Sequence, residues 1–104
     1  MHMKKNWLFL LLIAACSLRA ETINVEYGGK VNLDGFNCSY VNSSLVDRVC
    51  YRQNDSYLIL ALRGTYYQFC EVPSYIHQGL ISASSHGRFF NENIRGQYNC
   101  GRRN

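Results

Sequence analysis

Tyr57-Leu58-Ile59-Leu60-Ala61-Leu62-Arg63-Gly64-Thr65-Tyr66-Tyr67-Gln68-Phe69-Cys70 decides the fold of this chain. Aliphatic, aromatic and β-branched residues fill both arms, and Arg63-Gly64-Thr65 supplies turn chemistry between them. Upstream, Leu45 to Arg52 has the same character, and Gln53-Asn54-Asp55-Ser56 separates it from the second run. Strands over 45–52, 57–63 and 65–72 therefore form a three-stranded antiparallel meander. Side chains alternate across a pleated strand, so Leu58, Leu60 and Leu62 share one face, joined by Val49 and Tyr51 before them and Tyr67 and Phe69 after.

Working outward, Pro73 stops the third strand and suits the first turn of a helix. Ile76, Leu80 and Ala83, with Ile81 on the flank, make a stripe at helical spacing, and Gly87 fits a left-handed cap at its end. Three strands alone are barely stable, so this helix is expected to lie across the leucine face. Phe89 to Ile94 forms a second turn or short helix closing one end of the core. On the other side, Thr22–Tyr27 and Lys30–Leu33 alternate as short strands about Gly28-Gly29. The expected class is α+β: a meander with one helix packed on a face, short N-terminal strands and two disulfides.

The first 20 residues read as a secretory signal. Lys4 and Lys5 precede nine apolar residues, Trp7 to Ala15. A membrane-spanning helix needs about 20, whereas a secretory signal core is this short. Cleavage after Leu18-Arg19-Ala20 is favoured. Ile13-Ala14-Ala15-Cys16 resembles a bacterial lipobox and supplies the alternative, a lipoprotein anchored through Cys16. Only then would a membrane be a partner; otherwise the product is periplasmic or secreted. The expected organisation is signal peptide 1–20, N-terminal extension 21–42 and main domain 43–104.

Removing residues 1–20 leaves 84, enough for one small domain. The whole chain carries +4, but Lys4, Lys5 and Arg19 leave with the signal, and eight basic residues then face seven acidic ones. Bulk charge thus gives no case for nucleic-acid binding. Cys38, Cys50, Cys70 and Cys100 remain, an even number in an exported domain of marginal size, and so read as two disulfides. With turns centred near 54–55 and 64–65, Cys50, Ile59 and Cys70 fall in one row on the outer face. Cys50 and Cys70 are then two strand spacings apart, roughly 9.5 Å, beyond the reach of a disulfide. Each pairs with Cys38 or Cys100; Cys38–Cys50 with Cys70–Cys100 is favoured and the crossed pairing stays open. No Cys-x-x-Cys pair exists, and His77 and His86 lack ligand spacing to any cysteine, so no metal or other cofactor is expected. Asn37, Asn42 and Asn54 open Asn-x-Ser triplets, which a bacterial exported chain would leave unused.

The residues Ser43-Ser44, Val49-x-Tyr51, Leu58-x-Leu60-x-Leu62, Gly64, Tyr67-x-Phe69, Val72-Pro73 and Ala83-x-Ser85-x-Gly87-Arg88-x-Phe90-Asn91-x-x-Ile94-Arg95 resemble the KTSC domain. That family occurs at the C-terminus of some lysyl-tRNA synthetases and as stand-alone bacterial domains. The resemblance runs from residue 43 to residue 95 and makes this chain an exported, four-cysteine variant. The family usually has Tyr-x-Tyr where this chain has Tyr67-x-Phe69, so one hydroxyl is missing. The synthetase association implies RNA binding, which export and near-neutral charge oppose.

Ser84-Ser85-His86 has no orienting acid and no Gly-x-Ser-x-Gly elbow, so no catalytic residue is expected and the chain is read as a non-enzyme. Ser85 is instead expected to bond the helix end or Asn91. The binding candidates are Tyr66, Ser85, Arg88, Asn91 and Arg95, with Arg102 and Arg103 adding charge. Their competing reading is a holding network in which Arg88 and Arg95 pair with Glu71, Asp47 or Glu92. The expected function is binding an unknown protein or envelope component; the alternative is an RNA, nucleic-acid or anionic-ligand module.

Overall fold

A computed structural model describes residues 20–101. Residues 1–19, on which the signal reading and Cys16 fall, and residues 102–104, with Arg102 and Arg103, lie outside the described residues. The order of elements is β1 (Thr22–Val25), β2 (Gly29–Asn32), β3 (Asn37–Tyr40), β4 (Val46–Arg52), a 3-10 turn (Gln53–Asp55), β5 (Tyr57–Leu62), β6 (Thr65–Phe69), α1 (Ser74–Ser82) and α2 (His86–Asn93). The class is α+β, as expected. The meander β4-β5-β6 is present but is not the whole sheet, and two helices lie among the described residues. The strands form one mixed six-stranded sheet in the order β2-β1-β6-β5-β4-β3. β1 joins the edge of β6 in parallel through Val25 opposite Tyr66, and β3 adds antiparallel to β4.

Arg63 and Gly64 both have positive φ, 50° and 88°, which makes the β5–β6 connection a two-residue turn closed by Leu62 opposite Thr65. This shifts the expected register by two. Cys50 lies opposite Ile59, but Ile59 faces Gln68 rather than Cys70. β6 ends at Phe69 because Cys70 turns away to the C-terminal segment, its N–H bonding Tyr98 O at 2.9 Å, and Glu71 takes a φ of 55°. A bulge between Val46 and Arg48 breaks the alternation of β4. Val46 and Val49 consequently face the same side, and Arg48 is turned to the other.

The core has two parts. On the helix side, Val46, Val49, Tyr51, Leu58 and Leu60 pack against Ile76, Leu80, Phe90 and Ile94. On the opposite side, Cys50 and Ile59 meet Ile23, Val25 and Leu33, because the sheet curls and brings β1 over its own outer face. Arg48 sits under this curl. It forks onto Glu21 at 2.7 and 2.9 Å, donates to Tyr66 Oη at 3.1 Å, and lies beneath the Tyr40 ring.

Both disulfides form in the favoured pairing. Cys38 and Cys50 are directly opposed in the β3–β4 ladder, and Cys70 meets Cys100, with Cα separations of 4.0 and 4.8 Å. Gly87 does not end the first helix. α1 stops at Ser82 with Ala83 extended, and Gly87 lies inside the first turn of α2. The helices approach closely at Gly79, where a Cβ would stand 2.6 Å from the Phe89 ring.

Candidate functional site

The five binding candidates are divided between three places. Ser85 is the N-cap of α2, its hydroxyl accepting the Arg88 N–H at 3.2 Å, so it bonds a helix start rather than a helix end or Asn91. Arg88 is exposed on the first turn of that helix. Tyr66 points to the opposite side of the sheet, bonded to Arg48 and half-buried. Asn91 and Arg95 come together: Arg95 Nη1 donates to Asn91 Oδ1 at 3.0 Å, one turn apart. The ion pairs among the described residues are Arg48–Glu21 and Arg52–Asp55, so Arg88 and Arg95 do not form the expected network with Glu71, Asp47 or Glu92.

Arg95 borders a hollow of about 530 Å³ between the β5–β6 turn and the end of α2. Leu45, Leu62, Phe69 and Phe90 make it apolar, Tyr67 forms a wall, and Arg63 stands on the rim with Arg95. Phe69 and Phe90 meet edge to face at 5.9 Å between ring centres, which stiffens the floor. Arg63 was not singled out from the sequence because Arg-Gly there reads only as turn chemistry. The fold pins its backbone: its N–H bonds Leu45 O at 3.1 Å, and the next N–H, of Gly64, bonds Asp47 Oδ2 at 2.7 Å. Arg95 is held as firmly, its N–H reaching Phe90 O at 2.9 Å. Two guanidiniums thus stand on fixed backbone above an apolar floor, with no carboxylate partner among the described residues. That arrangement suits an anionic group carried on an apolar body.

Tyr67 and Phe69 also line a second hollow, of about 330 Å³, bounded by Glu26, Tyr27, Gln68 and the tail at Asn99 to Gly101. Elsewhere His77 stacks on Tyr51, ring centres 4.4 Å apart, and burial lowers its pKa from the ordinary value of 6.5. The Ser85 hydroxyl is engaged at the cap, and His86 Nδ1 lies 2.8 Å from Leu80 O. Among the described residues no group of three or more His, Cys, Asp and Glu is placed to hold a metal ion.

Comparison with known proteins agrees with this architecture. The KTSC domain profile matches residues 42–98, a span that includes every residue lining the first hollow. The crystal structure of a KTSC domain protein from Yersinia pestis superposes with a TM-score of 0.60 at 31% sequence identity, covering 66% of this chain and 99% of that one. No curated protein matches the chain.

Proposed function

The chain belongs to the KTSC domain family, and from that premise we propose that it is a non-enzymatic, exported binding domain whose ligand is a protein or envelope component presenting an acidic group beside apolar side chains. The observation that carries this reading is the pair Arg63 and Arg95 on the rim of an apolar hollow, neither paired with a carboxylate among the described residues. The hollow falls within the usual range for ligand pockets, about 300–1,000 Å³. Two disulfides are compatible with an oxidising compartment outside the cytoplasm. Ser85 and His86 are spent on local bonds, which favours binding over catalysis. The nucleic-acid alternative needs Tyr66 as a stacking platform beside the arginines. Tyr66 lies instead with Arg48 on the other side of the sheet.

Titration with decanoate, a carboxylate on an apolar body, tests the reading by side-chain NMR. Decanoate is expected to shift Leu45, Leu62 and Phe90 resonances, with decanol at least fivefold weaker. The Arg63→Ala, Arg95→Ala double variant is expected to lose that discrimination. A response equal for decanoate and a decyl ammonium ion would refute the anionic preference. Retention on RNA that collapses steeply with salt would favour the alternative instead.

A further inference from the structure

Among the described residues, the outer edge of β6 has one gap in its main-chain pairing. In an antiparallel pair, successive residues alternate between bonding the partner strand and pointing their N–H and C=O away. The tight turn makes Leu62 and Thr65 a bonded pair, so Thr65, Tyr67 and Phe69 bond β5 while Tyr66, Gln68 and Cys70 face the edge. Tyr66 is taken by β1, its C=O accepting the Glu26 N–H at 2.8 Å. Cys70 is taken by the tail, its N–H donating to Tyr98 O at 2.9 Å. Gln68 lies between them. β1 pairs with β6 only at Val25 and Tyr66, and then turns away, with the Gly28 N–H bonding back to Val25 O. The second hollow opens at this interruption.

We propose that a short extended peptide completes this edge, its backbone bonding the Gln68 N–H and C=O while its flanking side chains and charged groups occupy the two hollows. The inference rests on the binding function proposed above and names its ligand class. Three observations support it. Gln68 presents one donor and one acceptor in strand geometry, which is what main-chain addition to a sheet edge requires. Tyr67 and Phe69 line both hollows, so a chain crossing the edge meets Arg63 and Arg95 on one side and Glu26 on the other; this charge order suits an extended peptide with an acidic group at one end and an amine at the other. Tyr27 stands over the gap, 89% exposed, with a φ of 64° that a bulky residue rarely adopts. A large aromatic ring kept exposed at such a position fits a contact with a partner. Of the residues named, Val25, Glu26, Tyr27 and Gly28 lie outside the matched family span 42–98, so the closure of this edge by β1 belongs to this chain's own additions.

The test uses the mature, oxidised protein and a degenerate array of hexapeptides with free termini. Peptides with an acidic residue and alternating apolar residues are expected to be selected. On adding a selected peptide, hydrogen exchange at the Gln68 amide is expected to slow at least tenfold. Methylating the peptide's pairing amide should weaken binding at least tenfold. Tyr27→Gly relieves the backbone conformation, so it should leave the melting temperature unchanged or higher while weakening the peptide about tenfold. Selected peptides that bind through Arg63 and Arg95, yet leave Gln68 exchange unaltered and tolerate methylation, would overturn the edge pairing alone. No selection from the array, with decanoate still bound, would overturn the peptide as ligand. Loss of both responses would overturn the binding function beneath it.

Discussion

Tyr51 joins the sheet to the start of the helical layer through one hydrogen bond. Its hydroxyl donates to Val72 O at 2.6 Å, both groups buried, and its ring lies flat against His77. Tyr51→Phe leaves the Val72 carbonyl without that donor and is expected to cost about 1–2 kcal/mol, read as a lower urea midpoint at unchanged slope. His77 adds a pH dependence. Burial holds its folded pKa below 6.5, so the unfolded chain takes up the proton first as pH falls. Its effect on stability is absent above that value and grows as a loss between 6.5 and the lower folded pKa. Thermal melts should show the wild type losing stability relative to His77→Phe below pH 6.5, with a constant difference above pH 7. Glu21 acts in a more acidic window. Hydrogen bonding from Arg48 lowers its pKa from 4.5, so its contribution is present above that value and lost as pH falls through the folded pKa. At this scale the sequence showed Tyr51 as a core aromatic. It could not show Arg48 as a buried cation, because a β-bulge and a curled sheet were both needed to enclose it.

The two helices depend on local signals of different strength. α2 begins where Ser85 caps the Arg88 N–H, and Ser85→Ala is expected to destabilise the domain by about 1 kcal/mol, measured by chemical denaturation. The sequence reading gave Ser85 as a binding candidate expected to bond the helix end or Asn91, and its hydroxyl instead caps the start of α2. Pro73 and the spacing of Ile76 and Leu80 correctly placed α1, since both act over a few neighbouring residues. Gly87 was misread as a stop because glycine at a helix end and glycine in a first turn look alike without the partner packing; its neighbour here is Leu45, 3.5 Å from where a Cβ would stand. The strands of the meander were legible for a related reason, as period-2 alternation persists along each. The register at β5–β6 was not, because a two-residue and a longer turn differ by a single residue on either side. β3 carried no apolar alternation and is held largely by pairing and its disulfide.

Two covalent ties brace the molecule, one at the β3 edge of the sheet and one between the end of β6 and the C-terminal tail. Cys38–Cys50 closes a separation of 12 residues and Cys70–Cys100 one of 30. Replacing each pair by serines is expected to cost about 3 and about 3.5 kcal/mol respectively, from the loop entropy released to the unfolded chain. Equilibrium unfolding of each double variant, with and without reductant, checks this: reductant should lower the wild type and leave the four-serine protein unmoved. Loss of the second bridge should also loosen the tail at Asn99 and Cys100 beside the Gln68 edge, and so slow no exchange there when peptide is added. β1 meets β6 through one residue pair, so the curl is held by the packing of Ile23, Val25 and Leu33 on Cys50 and Ile59 and by the Arg48–Glu21 pair.

Local chemistry in the sequence determined the meander, the first helix, the four-cysteine framework and the family, since alternation, proline, turn residues and cysteine parity act between near neighbours. Only the tertiary structure decided that β1 closes over the outer face, that Tyr66 and Arg95 stand on opposite sides, and that Arg63 joins Arg95 above an apolar floor. Those relations are set by sheet curl, a bulge and turn length, which place residues far apart in the chain side by side and leave no periodic trace along it.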